Sequence, residues 1–317
     1  MYYPYFRGKQ YELIVIRENA ELLHQSQFVP IIEPVRPEPN SLQRAISEVE
    51  KAGGECVLIV NPKVGKLSKD SADLRLVLET GFRNSPALSV GILLTESTSV
   101  DDVTSLCARY RKHTATLVHC GFQDGRELAE RITSCPNVTR HVFVEDCCGK
   151  LYRRHFQNST RVLLRDGFQH RTNREHPPTE FFSDLHETFG DEGMAGFGDF
   201  LIVGDDYSES AGPAYAVAIH LTYIDDQKDG GMYIHHFLSD RKDTPADPAG
   251  KFAEALDKLA REVQRPDSPI LRSRAVTEYL ELHKERHFPG LGYVKKLSMQ
   301  HHIETLANYF MRQPASE

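Results

Sequence analysis

The stretch FVPIIEPVRP, residues 28–37, runs four apolar residues and a proline into Glu33, and closes with two prolines around Val35 and Arg36. A segment apolar on both faces reads as a strand buried between two layers, the signature of a parallel sheet covered by helices. A carboxylate at the end of such a strand is costly unless it is paired, metal-bound or open to a polar cup. The same pattern recurs along the chain. CVLIVNP (56–62), LSVGILLTE (88–96), ATLVHCGF (115–122), VTRHVFVED (138–146), RVLLRDGF (161–168) and GDFLIVGDDY (198–207) are strand-like runs that each end on a polar residue, and YYPYF (2–6) is a short aromatic strand ahead of them.

Helix-like segments separate these runs. Residues 9–25 carry apolar positions close to helical spacing, SLQRAISEVEKAGG ends in glycines, Asp101 is placed to cap 101–113, and PPTEFFSDLHETFG (177–190) reads as a helix opened by proline. Eight strand–helix alternations predict a (β/α)8 TIM-type barrel, because parallel strands need crossover connections and eight of them close a ring. No G-x-G-x-x-G follows the first strand, so the usual dinucleotide-binding open sheet is not indicated. After the eighth run the pattern changes. AYAVAIHLTYI (214–224) and GMYIHHFL (231–238) alternate around DDQKDGG and predict a β-hairpin, and 251–263, 274–285 and the segment after FPGLG predict amphipathic helices. The expected organisation is an α/β barrel core over 1–210, with an added β-hairpin and C-terminal helices over 211–317 packed on the same domain; the last five residues, QPASE, read as disordered.

The 317 residues are 40% hydrophobic and 26% charged with a net charge of −7, so nothing global steers the chain to nucleic acid. No apolar run approaches the roughly 20 residues that span a bilayer, and the N-terminus lacks the order of a signal peptide, so the expectation is a cytoplasmic protein with no membrane partner. The six cysteines form no C-x-x-C pair, and they read as structural filler.

In a barrel of this type chemistry sits at the C-terminal strand ends. Here those ends carry Arg7 and Lys9, Glu33, Asn61 with Lys63, Glu96, His119, Glu145–Asp146, Arg165–Asp166 and Asp205–Asp206–Tyr207. By the period of two, Glu33 continues the row of Ile31 and Val29, Asn61 that of Ile59 and Val57, and Glu96 that of Leu94, Ile92 and Val90, each row a candidate for the barrel interior. At the doubled positions either residue can face inward. Glu33, Glu96, His119, Glu145 and Asp205 are the candidate acid–base groups. Glu33, Glu145, Asp166 and Asp205 are the candidate metal ligands, and an all-oxygen set suits Mg²⁺ or Mn²⁺. Lys9, Lys63, Arg165 and Tyr207 are the candidate substrate-binding groups, suited to a small anionic ligand. The expected function is a metal-dependent enzyme, a hydrolase acting on a phosphorylated or nucleotide-like substrate. His235–His236 and HHIE (301–304) are weaker candidates: the first pair lies on opposite faces of a strand, and the second lacks most of H-E-x-x-H. The stretch Ser208–Ser210 has no G-x-S-x-G elbow.

YYPYFRGKQYE followed by FVPIIEPV, with GDDY (204–207) before the hairpin, resembles the phage T4-type "beta protein" family of phages and bacteria, and the ending FPGLGYVKKLSMQHHIE is similar to a bacterial subfamily. The resemblance runs through short motifs over most of the chain and departs in GDDY, where the family has G-D-Y. It implies this architecture and a phage or mobile-element context, but no reaction. By position it singles out Lys9, Glu12, Glu33, Asp205 or Asp206, and Tyr207. That context also carries an alternative expectation: a non-catalytic sensor or protein partner, with the hairpin and terminal helices as its docking surface.

Overall fold

The first strand and the last barrel strand meet through glycine. Gly198 lies so close to the first strand that a side-chain carbon there would sit 2.1 Å from the Tyr3 carbonyl oxygen, and one at Gly196 would sit 2.7 Å from the Tyr3 ring and the Met1 carbonyl. With no Cβ in the way, Tyr3 N donates to Phe197 O (2.8 Å), Phe197 N to Met1 O (3.0 Å) and Tyr5 N to Asp199 O (2.9 Å). These bonds join the two edges of a parallel sheet into a barrel. The structure is a computed structural model and describes residues 1–37, 39–68, 72–208, 212 and 214–312. The expected disordered tail lies outside the described residues, as does Ser210.

By internal contacts the chain divides into two units, one of residues 1–165 with 188–200, the other of 166–187 with 201–317. The first unit holds the barrel. Its strands are β1 (Tyr5–Phe6), β2 (Ile31–Ile32), β3 (Cys56–Ile59), β4 (Leu88–Leu94), β5 (Ala115–His119), β6 (Val138–Val144) and β7 (Thr160–Leu164); then, after a strand β8 (Thr179–Ser183) that belongs to the second unit, β9 (Gly196–Gly198). Every neighbouring pair is parallel. The connections carry α1 (Gln10–Glu18), α2 (Ala20–Gln25), α3 (Pro39–Lys51), α4 (Ala72–Leu76), α5 (Val100–Arg109), α6 (Gly125–Arg131) and α7 (Lys150–Arg153). Helix α5 is opened by a capping box in which Ser99 and Asp102 satisfy each other's backbone N–H groups. One buried cluster draws Tyr3 and Tyr5, Val29 and Ile31, Val57 and Ile59, Leu93, Val118, Val142 and Val144, Val162 and Leu164, and Phe200 from all around the ring. These side chains fill the barrel interior, as the packed layers of such a barrel require.

Two sequence expectations are corrected here. The eighth barrel strand is Gly196–Gly198 and not the whole of 198–207, because Leu201 adopts left-handed backbone (φ 52°) and turns the chain away. The segment 177–190 is not one helix. Residues Thr179–Ser183 form β8, and only Leu185–Thr188 form a short helix, α8. The β-favouring run Thr-Glu-Phe-Phe-Ser is taken up by strand pairing, and this outweighs the helix-starting prolines before it.

The second unit is a three-stranded antiparallel sheet in the order β10 (Ala218–Asp225), β11 (Gly231–Leu238), β8, with helices α9 (Pro248–Gln264), α10 (Arg274–Glu285) and α11 (Leu291–Arg312). Val217, just before β10, and the alternate β10 residues Ile219, Leu221 and Tyr223 join Phe237, Leu256, Val276, Tyr279 and Leu297 in its core. The intervening row, Ala218, His220 and Thr222, is absent from that cluster. Helix α11 is buried almost without interruption from Val294 to Ala307. Among the described residues no helix is long and apolar enough to cross a membrane.

Candidate metal centre

The strand ends of the barrel come first. Glu33 is fully buried, and it is the end of an interior row as its spacing implies. Its Oε2 accepts from Tyr5 Oη (2.7 Å) and from Arg7, and its Oε1 from the Lys63 backbone N–H (2.8 Å). The Arg7 guanidinium lies 5.2 Å from the Tyr5 ring centroid and 5.7 Å from that of Phe200. Both oxygens of this carboxylate are therefore engaged by donors from the barrel itself. Asn61 bridges to β4 with a two-bond amide pairing: its Nδ2 donates to Leu93 O and its Oδ1 accepts from Leu93 N, each at 2.8 Å. Glu145 and Arg165 form a bidentate pair at 2.5 and 3.2 Å. Glu12, on the first turn of α1, is buried, and burial raises its carboxyl pKa against the lowering field of Lys9.

Two of the expected residues fall on the other side of the sheet from the interior. Leu93, not the row of Leu94, Ile92 and Val90, is the β4 residue in the interior cluster, so the row continued by Glu96 faces the helices. Glu96 itself lines an open cleft of about 820 Å³ together with Lys63, Cys120, Asp146, Cys147 and Tyr152. Val118 is the interior residue of β5, so His119 faces outward. His119 is buried among Phe143, Phe156 and Tyr152, with Nδ1 2.6 Å from Tyr152 Oη and Nε2 3.0 Å from His141 Nδ1. Burial and the neighbouring imidazole push its pKa well below the usual histidine value, so at neutral pH it is an uncharged packing group. In the cleft, Lys63 Nζ lies 3.3 Å from Cys120 Sγ, which is 3.7 Å from Cys147 Sγ.

In the second unit, the Asp166 carboxylate meets the backbone of Asp205 and not its side chain. Asp166 Oδ2 accepts from the Asp205 backbone N–H (2.8 Å) and lies 3.0 Å from His170 Nε2, whose Nδ1 lies 3.1 Å from Asp206. Gly204 (φ +71°) makes the turn possible, since a side chain there would strike the His170 ring at 2.4 Å. Tyr207 is half-buried next to this turn.

The one group of three ligating side chains close enough to share an ion, among the described residues, is built from others: His176, Glu180 and His236, whose ligand atoms lie within 4.8 Å of one another. Sheet register assembles it. His236 on β11 stands opposite His220 on β10, and Glu180 on β8 stands opposite Ile234, two residues from His236 and on the same face. His236 N also donates to Pro178 O (2.9 Å), which sets the start of β8 against β11. His176 follows a short turn closed by a Thr172–Glu175 capping box, and its ring stacks on His236 at 4.3 Å between centroids. Glu180 Oε1 is 3.0 Å from His236 Nε2 and 3.4 Å from His176 Nδ1, while its Oε2 accepts from Arg171 (2.9 Å).

Those separations fit an ion. Donors about 2.1 Å from a metal and 90–110° apart lie about 3.0–3.4 Å from each other. The imidazoles are also in the ligating form. Burial, with His176 adding to it, pushes His236 down to about 4; burial lowers His176; burial and then the two neighbouring imidazoles hold His220 well below the usual range. His236 Nδ1 lies 2.6 Å from His220 Nδ1. A ligating histidine is commonly oriented by a partner on its other ring nitrogen, and His220 holds that position here. The group can hold a metal ion through two nitrogens and one oxygen, a different chemistry from the all-oxygen set expected at the barrel mouth.

The other histidines of the sheet and helix are structural. His235 stacks on Phe237 on the opposite face. His301 is hydrogen-bonded to Ser273 Oγ and Thr222 O (2.8 Å each), His302 to Thr222 Oγ1 (2.9 Å), and Glu304 accepts from Arg274, the Ala275 N–H and Gln300. The signal that would have located the centre is the pairing of His220 with His236 across the hairpin. Reading 177–190 as a helix hid it, because that placed Glu180 away from the sheet. No protein-family model matches the chain, and no curated protein matches it.

Proposed function

We propose that the protein is a metal-dependent hydrolase whose ion is held by His176, Glu180 and His236, with a phosphorylated or nucleotide-like compound as substrate. The observation that carries this reading is the convergence of two neutral imidazoles and a carboxylate at ion-sharing distance on one sheet face. Two imidazoles favour Zn²⁺, or another late first-row ion such as Fe²⁺ or Ni²⁺, over Mn²⁺ and Mg²⁺, which prefer oxygen. An ion held by three protein ligands keeps a position for water, whose acidity it raises to supply a nucleophile near neutral pH. The protein's own part is to fix that ligand set: Arg171 holds Glu180 by its second oxygen, and His220 orients His236.

The test is metal binding by the full-length chain after chelation, followed by calorimetry and elemental analysis. One Zn²⁺ per chain is expected, lost in His236→Ala and in Glu180→Ala while each variant still melts cooperatively. Zinc binding that survives both substitutions would rule this centre out. Kinship with the phage beta proteins is also proposed, on the tyrosine-proline opening and the strand ending in Ile32–Glu33. A family member's structure without a closed barrel at those motifs would remove it.

A further inference from the structure

A cavity of about 840 Å³ opens in the second unit beside the metal centre. Among the described residues its charged lining is one-sided: Arg174 and Lys295 are there with His220 and with Arg171, which is paired to Glu180, and no described aspartate or glutamate lines it. Its apolar lining includes Ile202, Tyr215, Leu291 and Val294, and Tyr215 is 44% exposed, which leaves a ring face open at the rim. His220 connects cavity and metal centre. It is only 7% exposed, it lines the cavity, and its Nδ1 is spent on His236. No described residue is hydrogen-bonded to its Nε2.

The proton positions along this chain follow from the ligand set. If His236 Nε2 offers its lone pair to an ion, the proton of that neutral ring is on Nδ1 and is donated to His220 Nδ1. With Nδ1 engaged in this way, Nε2 is the ring nitrogen that His220 has left for the cavity. That nitrogen lines the same cavity as the Arg174 and Lys295 side chains. The first two turns of α11, Leu291 to Ser298, add the positive end of a 22-residue helix to the same wall.

We infer that this cavity is the substrate pocket of the metal centre and takes an aromatic phosphate monoester, with the phosphate between Arg174, Lys295 and His220 Nε2 and the ring against Tyr215 and the apolar wall. The volume lies within the usual range for small-molecule sites, and the mixed lining matches an anionic head on an apolar body. The inference rests on the metal-centre reading for its role, but not for the binding itself.

The experiment measures phenyl phosphate, AMP, inorganic phosphate and phenol by calorimetry on the full chain, first chelator-treated and then loaded with Zn²⁺. Phenyl phosphate or AMP should bind to the chelated chain, inorganic phosphate more weakly, and phenol not measurably. Arg174→Ala and Lys295→Ala, both exposed positions, should each weaken phenyl phosphate roughly tenfold, as expected for losing one charge-assisted contact. His236→Ala should lose Zn²⁺ and still bind phenyl phosphate, more weakly because His220 loses its partner. No binding of either ester, or binding that both cation substitutions leave unchanged, overturns the pocket even where Zn²⁺ binds normally. Zinc failing to bind while phenyl phosphate binds and responds to Arg174→Ala removes the metal reading and leaves the pocket standing.

Discussion

The barrel mouth and the imidazole face of the second unit solve the same problem in opposite ways. At the mouth two carboxylates meet a guanidinium within the barrel: buried Glu33 with Arg7, and half-buried Glu145 with Arg165. On the sheet face the buried groups are imidazoles held uncharged by burial, with one carboxylate among them. A mouth that neutralises itself offers little to a ligand. A face of neutral bases leaves lone pairs that an ion can use. Density of charged residues in a sequence is thus a weak guide to a site, because charge that has found a partner is structure.

The sharpest way to break this comparison is to unpair the mouth. Arg7→Met leaves the fully buried Glu33 without its counter-ion and should cost about 3–5 kcal/mol, the usual penalty for stranding one partner of a buried pair. Urea unfolding measures this, and Zn²⁺ affinity should be unchanged. A stable Arg7→Met protein would show that the Tyr5 hydroxyl and the Lys63 N–H suffice for Glu33.

Acid should act chiefly on the buried imidazoles. His141, His236 and His301 have pKa values lowered to about 4, and burial is the main cause in each. A histidine that binds its proton more weakly when folded gives its full stability above the unfolded pKa near 6.5, and loses that stability as pH falls towards 4. The loss should approach about 3 kcal/mol for an imidazole whose pKa drops this far. Melting curves from pH 7 to 4.5 should show a steady fall, and Zn²⁺ should be released over the same range as protons compete for its ligands. A flat profile would mean that these rings take up protons equally in the folded and unfolded chain, so that burial does not lower them.

The smallest expected effect is at Asn61. Asn61→Ala removes two hydrogen bonds to the Leu93 backbone and should cost about 1–2 kcal/mol, with metal binding unaffected. If Asn61→Ala instead changed ligand binding, the self-contained character of the mouth would be in doubt.

Much of the barrel could be read from the sequence because parallel strands buried on both faces leave long apolar runs, and glycine or proline marks their ends. The interior rows of Glu33 and Asn61 followed from the period of two alone. Glu96 was placed on the interior row by the same rule and lies on the other, because both rows of LSVGILL are apolar and spacing cannot choose between them; Gly91, which a side chain would drive into Ile59, marks the true interior row. The metal group was not legible for a different reason. Its three members come from a loop, an edge strand and a hairpin strand, and only the register between β8 and β11 brings them together. Single residues at strand ends announce themselves in a sequence, whereas a register between segments far apart does not.

The strand β8 is made before the hairpin strand β11 that it pairs with, and after the barrel has lost sight of the chain until β9 returns to close it. During synthesis both assemblies therefore wait on later residues: the barrel is an open sheet until Phe197 reaches Tyr3, and β8 offers an unpaired backbone until Met232 to His235 emerge. Such waiting edges are where nascent chains mispair with one another. A chain cut between the two β10–β11 strands would strand β8 permanently, so soluble fragments should be sought at boundaries that keep both partners, and expression yield should depend on the speed at which the ribosome clears residues 183–235 more than on that of any barrel segment.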